Sequence, residues 1–400
     1  FVKEPGELVL GEKVRSQRLG QSQPERFFKA FKRDLAADFQ PPSRNLDGQI
    51  YSTESVAENF IKTIWQQLYS QKIQPDKVIF TVPVGAFERY LDWFRDLAAN
   101  IGISEVQLID ESTAAALGYA VKRPGSLVLV VDFGGGTLDL SLVRTGVTPS
   151  LSQNKDRNLL SKGGVCAEVL AKSDAYVGGE DIDIWIVEDY LRQISSSRAE
   201  VGEIGWQNLL EIAEKLKIQL SQVNEAKESW FDDENFMSYD LELNRERLEE
   251  ILESRQLLEQ LRQALDEVLS IALGKGIAKT DIEQILLVGG TSLIPAVSNL
   301  VVSYFGRQKV KMDKPFEAVA WGALALTQLA SVEDYLRHSY AIRLWEPYAK
   351  AYAYSPIFSK EMKYPCQSSG ELTLQVAMVG QREIRLDIGE GAEISQAEVI

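Results

Sequence analysis

The chain has 400 residues, 45% of them hydrophobic and 25% charged, and its 58 Asp plus Glu against 43 Lys plus Arg give a formal net charge of -15. That is enough apolar chain for two or three packed domains; it excludes a disordered polymer and works against binding to nucleic acid or an anionic membrane. A single histidine, His338, and two distant cysteines, Cys166 and Cys366, exclude histidine triads, histidine-rich metal sites and a disulfide framework, and fit a reducing cytosol.

Taken in chain order, the first strong periodicity is Val56, Ala57, Phe60, Ile61, Ile64, Trp65 and Leu68, which predicts a helix over Glu54–Ser70. Strand patterns at Val78–Val82 and Glu105–Ile109 enclose a crossover helix at Ala86–Asn100. Strands at Leu127–Val131 and Leu138–Arg144 are separated by little more than FGGGT, too short for a crossover, and so form an antiparallel hairpin. A strand around Cys166–Lys172 leads into VGGEDIDIWIVEDYLRQI, helical in its second half, and then into a helix over Leu209–Gln222. There follow a strand near Phe236–Leu241, one long helix over Arg245–Leu273, a strand at Ile285–Val288, a helix from Pro295 and a small-residue helix over Phe316–Ala330. After Ser331, alternating segments such as Leu372–Val376 and Glu383–Asp387 suggest a small β extension. The expected architecture is α/β with two lobes, 1–123 and 124–315. Helix 316–330 returns to the first lobe, and 331–400 forms a linker-like segment and partial β extension.

The stretch VVDFGGGTLDLSLV carries the chemistry. It enters a strand rather than a helix, which excludes the Walker A and dinucleotide-binding loops. A tight structural hairpin would explain the glycines alone. Asp132 and Asp139 flank the turn, however, and could hold a hydrated divalent cation while the amides of Gly134, Gly135 and Gly136 and the Thr137 hydroxyl meet phosphate oxygens. Two further glycine turns, Gly289–Gly290 and Gly178–Gly179 before Glu180 and Asp181, also end strands, and together the three point to one ligand in a cleft between lobes.

The stretches FTVPVGAFERY, LIDESTAAALGYA, VVDFGGGTLDLSLV, VGGEDIDIWI, EIAEKLKIQLSQ, LLVGGTSLIP and FEAVAWGALA resemble, in order and spacing, the nucleotide-binding domain of the 70-kDa heat shock chaperones of DnaK type. The resemblance runs from about Leu8 to Ala330. It implies an actin-like ATPase fold with ribonuclease H-like lobes, ATP or ADP with Mg as cofactors, and a cytoplasmic chaperone serving protein folding and the stress response. Its implied partners are client proteins or peptides, a J-domain co-chaperone and a nucleotide exchange factor, with no nucleic acid or membrane. By the same resemblance Asp132 and Asp139 organise Mg through water, Thr137 meets the γ-phosphate, Glu111 couples lobe closure to the attacking water, and Lys32 reaches the transferring phosphate. Without the family, Lys32 reads as one exposed lysine of a basic helix. Glu214, Lys217 and Ser221 are turned toward ribose and adenine, Gly289 and Gly290 form the adenosine turn, and Gly178, Gly179 and Glu180 belong to the nucleotide site.

There are departures from the family pattern. A first D-x-G-T phosphate hairpin is expected upstream of Phe1. Leu293 stands where an arginine usually meets adenine, Phe316 where an aspartate precedes EAVA, and Ser112 in place of proline. The stretch after Ser331 only partly resembles the family's linker, and it is too short for a full peptide-binding sandwich and lid. Leu293, Phe316 and the missing hairpin motivate one alternative to the ATPase, a nucleotide-gated interaction protein without hydrolysis; the DESTAAAL and GGED runs argue against another, a sugar or acetate kinase or phosphatase of the same superfamily.

Overall fold

A computed structural model describes all residues except 5–6, 38–39, 76, 84–85, 121–124, 148–164, 234–235, 326–328, 337, 347–349, 361, 365–366, 368–385, 392–397 and 400. Near the start of the chain, the short helix α1 (Phe31–Ala36) precedes α2 (Thr53–Ser70), which starts at a reciprocal cap between Ser52 and Ser55. Strands β1 (Val78–Val82) and β2 (Val106–Asp110) pair in parallel through the crossover helix α3 (Glu88–Asn100). Leu35, Ala57, Val82, Tyr90 and Phe94 close a core beneath them. Helix α4 (Glu111–Ala120) begins directly where β2 ends.

Strands β3 (Leu127–Phe133) and β4 (Leu138–Val147) form the expected hairpin, and β5 (Val165–Ala175) continues it antiparallel. Phe133, Leu138, Leu140 and Leu142 are wholly buried. Each contributes about 1.5–3 kcal/mol of burial, so the strands bracketing the glycine turn are held rigidly. One side of this sheet packs on α5 (Gly179–Gln193) and α6 (Arg198–Leu220). The β-hairpin β6 (Glu225–Asp232) and β7 (Met237–Asn244) is fastened by Trp230 stacked on its cross-strand partner Tyr239 at 5.3 Å.

The single helix expected over Arg245–Leu273 is two, α7 (Arg245–Ser254) and α8 (Leu257–Gly274), because Gln256 takes a left-handed backbone with φ of 60°. The change of direction lets Ile251 and Leu252 on one side, and Leu257 and Leu258 on the other, all reach the core. Strand β8 (Gln284–Val288) pairs in parallel with β3, and after α9 (Pro295–Phe305) the short β9 (Val310–Lys311) extends the same edge. Helix α10 (Ala318–Ala325) then crosses α4 at two glycines; a Cβ on Gly322 would overlap the Ala114 carbonyl, and one on Gly118 would lie 3.1 Å from Gly322 Cα.

The helix expected to reach Ala330 is shorter. Leu329 and Ala330 belong instead to β10 (Leu329–Tyr335), which adds in parallel to β5, because the open edge of β5 offers backbone partners that a helix would leave unmet. The sheet order is β9-β8-β3-β4-β5-β10-β13, seven strands ending at β13 (Lys363–Tyr364). The chain between and beyond β10 and β13 builds a four-stranded sheet, β12-β11-β14-β15, from β11 (Ser339–Glu346), β12 (Ala351–Phe358), β14 (Asp387–Gly391) and β15 (Glu398–Val399). The expected strand at Leu372–Val376, and 383–385 of Glu383–Asp387, lie outside the described residues.

This last sheet abuts the start of α3. Glu390 accepts the Glu88 amide at 2.9 Å, the Tyr340 hydroxyl at 3.0 Å and sits 3.0 Å from His338 Nδ1, while the His338 ring stacks on Phe87 at 4.3 Å. The mixed α/β architecture expected from the sequence, an actin-like ATPase fold, is present.

Candidate functional site

Three glycine turns meet at the carboxyl ends of β3, β5 and β8. The Gly134 carbonyl accepts the Gly179 amide at 3.1 Å and the Thr291 hydroxyl at 2.7 Å, and the Gly135 carbonyl accepts the Glu180 amide at 2.8 Å. The contacts are close enough to require glycine: a Cβ on Gly178 would overlap the Gly135 carbonyl, and Gly289, at φ of 80°, lies against the Phe133 carbonyl. Of the three amides expected to face phosphate, that of Gly134 closes the hairpin on the Thr137 carbonyl at 3.0 Å. Thr137 sits half-buried at the far end of the turn.

Asp132 and Asp139 are opposite each other in register, and Asp139 is opposite Asp174 on β5. The three carboxylates therefore stand in one row on one face of the sheet. Burial raises the affinity of Asp132 for a proton and Glu111 adds to it, against a smaller opposing pull from Lys32, so its pKa is pushed up to about 7. Asp174 reaches the surface, and the protein packed around its carboxyl still desolvates it enough to push its pKa up. Like charges placed opposite one another in a sheet are destabilising.

The other walls come from α1, α4, α5 and α6. Lys32 of α1 pairs with Glu111 at the start of α4. Its neighbour Arg33 chelates Asp181 at 3.1 and 2.9 Å, and its aliphatic stem lies over Gly136. Lys217 is buried between Asp183, 2.6 Å away, and the Gly179 carbonyl at 2.7 Å, so its ammonium organises the turn from beneath. Burial outweighs that ammonium at Asp183 and pushes its pKa up to about 6. Ser221 donates to the Lys217 carbonyl at 3.2 Å. Glu214 is separate from these two: it lies 3.5 Å from Arg15 and lines a cleft cavity of about 330 Å³ with Arg18, Lys29 and Lys215. Phe316, 73% exposed, faces Gly290.

The structure thus brings together Lys32, Glu111, Asp132, Asp139, Gly134, Gly135, Gly136, Thr137, Gly178, Gly179, Glu180, Gly289 and Gly290, with Lys217 below, Glu214 one turn before it on α6 and Ser221 just past that helix's end. Sequence reasoning missed Arg33, Thr291 and Asp174. Arg33 is adjacent to Lys32 in FKRDL and Thr291 follows the Gly289–Gly290 pair, so proximity to a motif was the available signal.

A family model described as Hsp70 protein matches residues 40–334. Curated relatives named chaperone protein DnaK include that of Thermosipho melanesiensis, 26% identical over 405 residues with 96% of this chain and 63% of the relative covered. That of Thermotoga maritima is 26% identical over 402 residues, with the same shares. That of Deinococcus proteolyticus is 30% identical over 292 residues, covering 70% of this chain and 42% of the relative. The chain spans less than two thirds of the length of these relatives. Among the described residues no helix is long and apolar enough to cross a membrane.

Proposed function

Because the chain belongs to the Hsp70 family of chaperones, we propose that it binds ATP with Mg in the cleft between its lobes, hydrolyses it in the cytoplasm, and relays lobe closure to a C-terminal part that handles client protein. In this proposal residues 1–123 with the returning helix form lobe I, 124–315 lobe II, and 331–400 the relaying extension. A J-domain co-chaperone and an exchange factor belong to the same proposal.

The observation that carries the reading is the row of buried Asp132 and Asp139, continued by Asp174 at the surface, beside the interlocked glycine turns and faced by Lys32 and Glu111. The row fits a divalent cation by its excess of negative charge. Among the described residues no three acids or histidines converge on one point, so Asp132 and Asp139 would hold the ion through its water shell. When bound, Mg neutralises phosphate charge. The chain's own groups do the rest. Backbone amides and Thr137 orient the terminal phosphate, Lys32 stabilises the charge that develops on it, and Glu111 positions the water. Hydrolysis passes the phosphoryl group directly to water and needs no covalent protein nucleophile, so the absence of a nearby histidine is no obstacle.

A second reading, nucleotide gating without turnover, is favoured by Phe316 lying over Gly290, where a base would approach. Single-turnover hydrolysis by the full-length protein separates the two. Asp132→Asn and Thr137→Ala should each slow it by roughly 10²-fold. Rates unchanged by both substitutions would overturn the ATPase reading; tight Mg-ATP binding by calorimetry with no turnover would establish the second. Phosphorylation of a sugar faster than hydrolysis would displace both.

A further inference from the structure

The corner between β2 and α4 rests on lobe II through a lysine that the reading above does not use. Lys172 of β5 is opposite Ser141, and Ser141 is opposite Val130, so this row shares a face with the acidic row two residue pairs away. The Ser141 and Ser112 hydroxyls are 2.6 Å apart, which seats the first turn of α4 on that row. The Lys172 ammonium pairs with Asp110, the last residue of β2; the two side chains are 10% and 0% exposed. The Thr113 hydroxyl donates to the same carboxylate oxygen at 3.3 Å.

A buried ion pair is weak evidence for stability, because desolvation offsets most of the attraction and an apolar pair often does as well. What it supplies is geometry: the ammonium tolerates only a narrow range of positions for its partner. Asp110 is covalently joined to Glu111, and Glu111 meets Lys32 and raises the proton affinity of Asp132.

We propose that Lys172 is a positioning residue for hydrolysis: paired with Asp110, it pins the β2–α4 corner to the lobe II sheet and so fixes where the Glu111 carboxylate stands relative to Asp132 and Thr137. This rests on the ATPase reading for its effect on rate, but the pinning itself does not.

The test uses the full-length protein and the variants Lys172→Met, Asp110→Asn and the two combined. Lys172→Met should lower the single-turnover rate by roughly 10- to 100-fold while Mg-ATP affinity stays within about twofold. The double variant should recover the urea midpoint, since no buried charge is left unpaired, yet stay slow. In nucleotide-free protein the amides of residues 111–115 should exchange faster in both Lys172 variants. A double variant that recovers midpoint and rate together would overturn the proposal by showing the pair to be structural only. If the wild type does not hydrolyse ATP, the ATPase reading falls, and exchange alone decides: unchanged protection of 111–115 in the double variant would overturn the pinning.

Discussion

Two units of the same plan lie in this chain. Val78 to Ala120 runs strand, crossover helix, parallel strand, helix (β1, α3, β2, α4), and Gln284 to Ala325 repeats it (β8, α9, β9, α10). Their last helices cross at Gly118 and Gly322. The plan is shared but the residues at its corners are not. In the first unit the corner carries Asp110 and Glu111, drawn into ion pairs with Lys172 and Lys32. In the second unit the last helix turns Trp321 and Leu324 outward, 60% and 61% exposed. A fold unit can therefore be copied without its chemistry; the side chains at strand ends decide what each copy does.

The comparison breaks most completely where the two copies touch. Gly322→Ala should force α10 off α4 because the new Cβ meets a backbone carbonyl that cannot rotate away. A loss of about 3 kcal/mol is expected, read as a lower urea midpoint. A variant as stable as wild type would mean that the crossing yields easily.

Substitutions at the corners sharpen it next. Glu111→Gln should cost hydrolysis roughly 10²-fold with little change in melting temperature, whereas Glu317→Gln, just ahead of α10, should leave hydrolysis unaltered. Equal effects from both would erase the functional distinction between the copies.

A smaller effect concerns the sheet docked on the first copy. Burial alone would raise the Glu390 pKa, but hydrogen bonds from His338, the Glu88 amide and Tyr340 prevail and hold it below the usual 4.5. A carboxyl depressed in the folded state stabilises above its unfolded pKa, and that stabilisation is lost as pH falls through the folded value. Protection of the Glu88 amide should therefore weaken on acidification below about pH 4.5. Glu390→Gln should remove this dependence, and a Gln variant that keeps it would place the titration elsewhere.

The smallest change is expected at Trp321. Trp321→Ser removes an exposed ring and should shift stability by about 0.5 kcal/mol or less, measured by the same urea titration. A large loss would show that this face is covered in the full-length protein.

Much of this was legible in the sequence, for identifiable reasons. The first unit announced itself through the three- and four-residue spacing of Phe87, Leu91 and Phe94 between two apolar runs. The seven motif stretches agree with the Hsp70 match. Elements decided by tertiary context were not legible. The strand Glu225–Asp232 turns few apolar residues inward, and its stability comes from Trp230 on Tyr239. The break at Gln256 has no proline or glycine to mark it. Leu329 and Ala330 follow small helix-forming residues and become strand because the edge of β5 is open to them. At the site, glycines and flanking aspartates could be read from spacing. Asp174 and Lys172 could not, because only the register of three strands places them beside Asp139 and Ser141.

The stack of His338 on Phe87 has a practical consequence. The chain holds one histidine in 400 residues, and its ring lies within 5° of parallel to the phenylalanine ring. Its two carbon-bound protons therefore sit in the ring current of the phenyl group whenever the last sheet is docked, and leave it on undocking. One pair of imidazole resonances in an ordinary proton spectrum, needing no isotope and no engineered label, would report the attachment of the C-terminal sheet in solution.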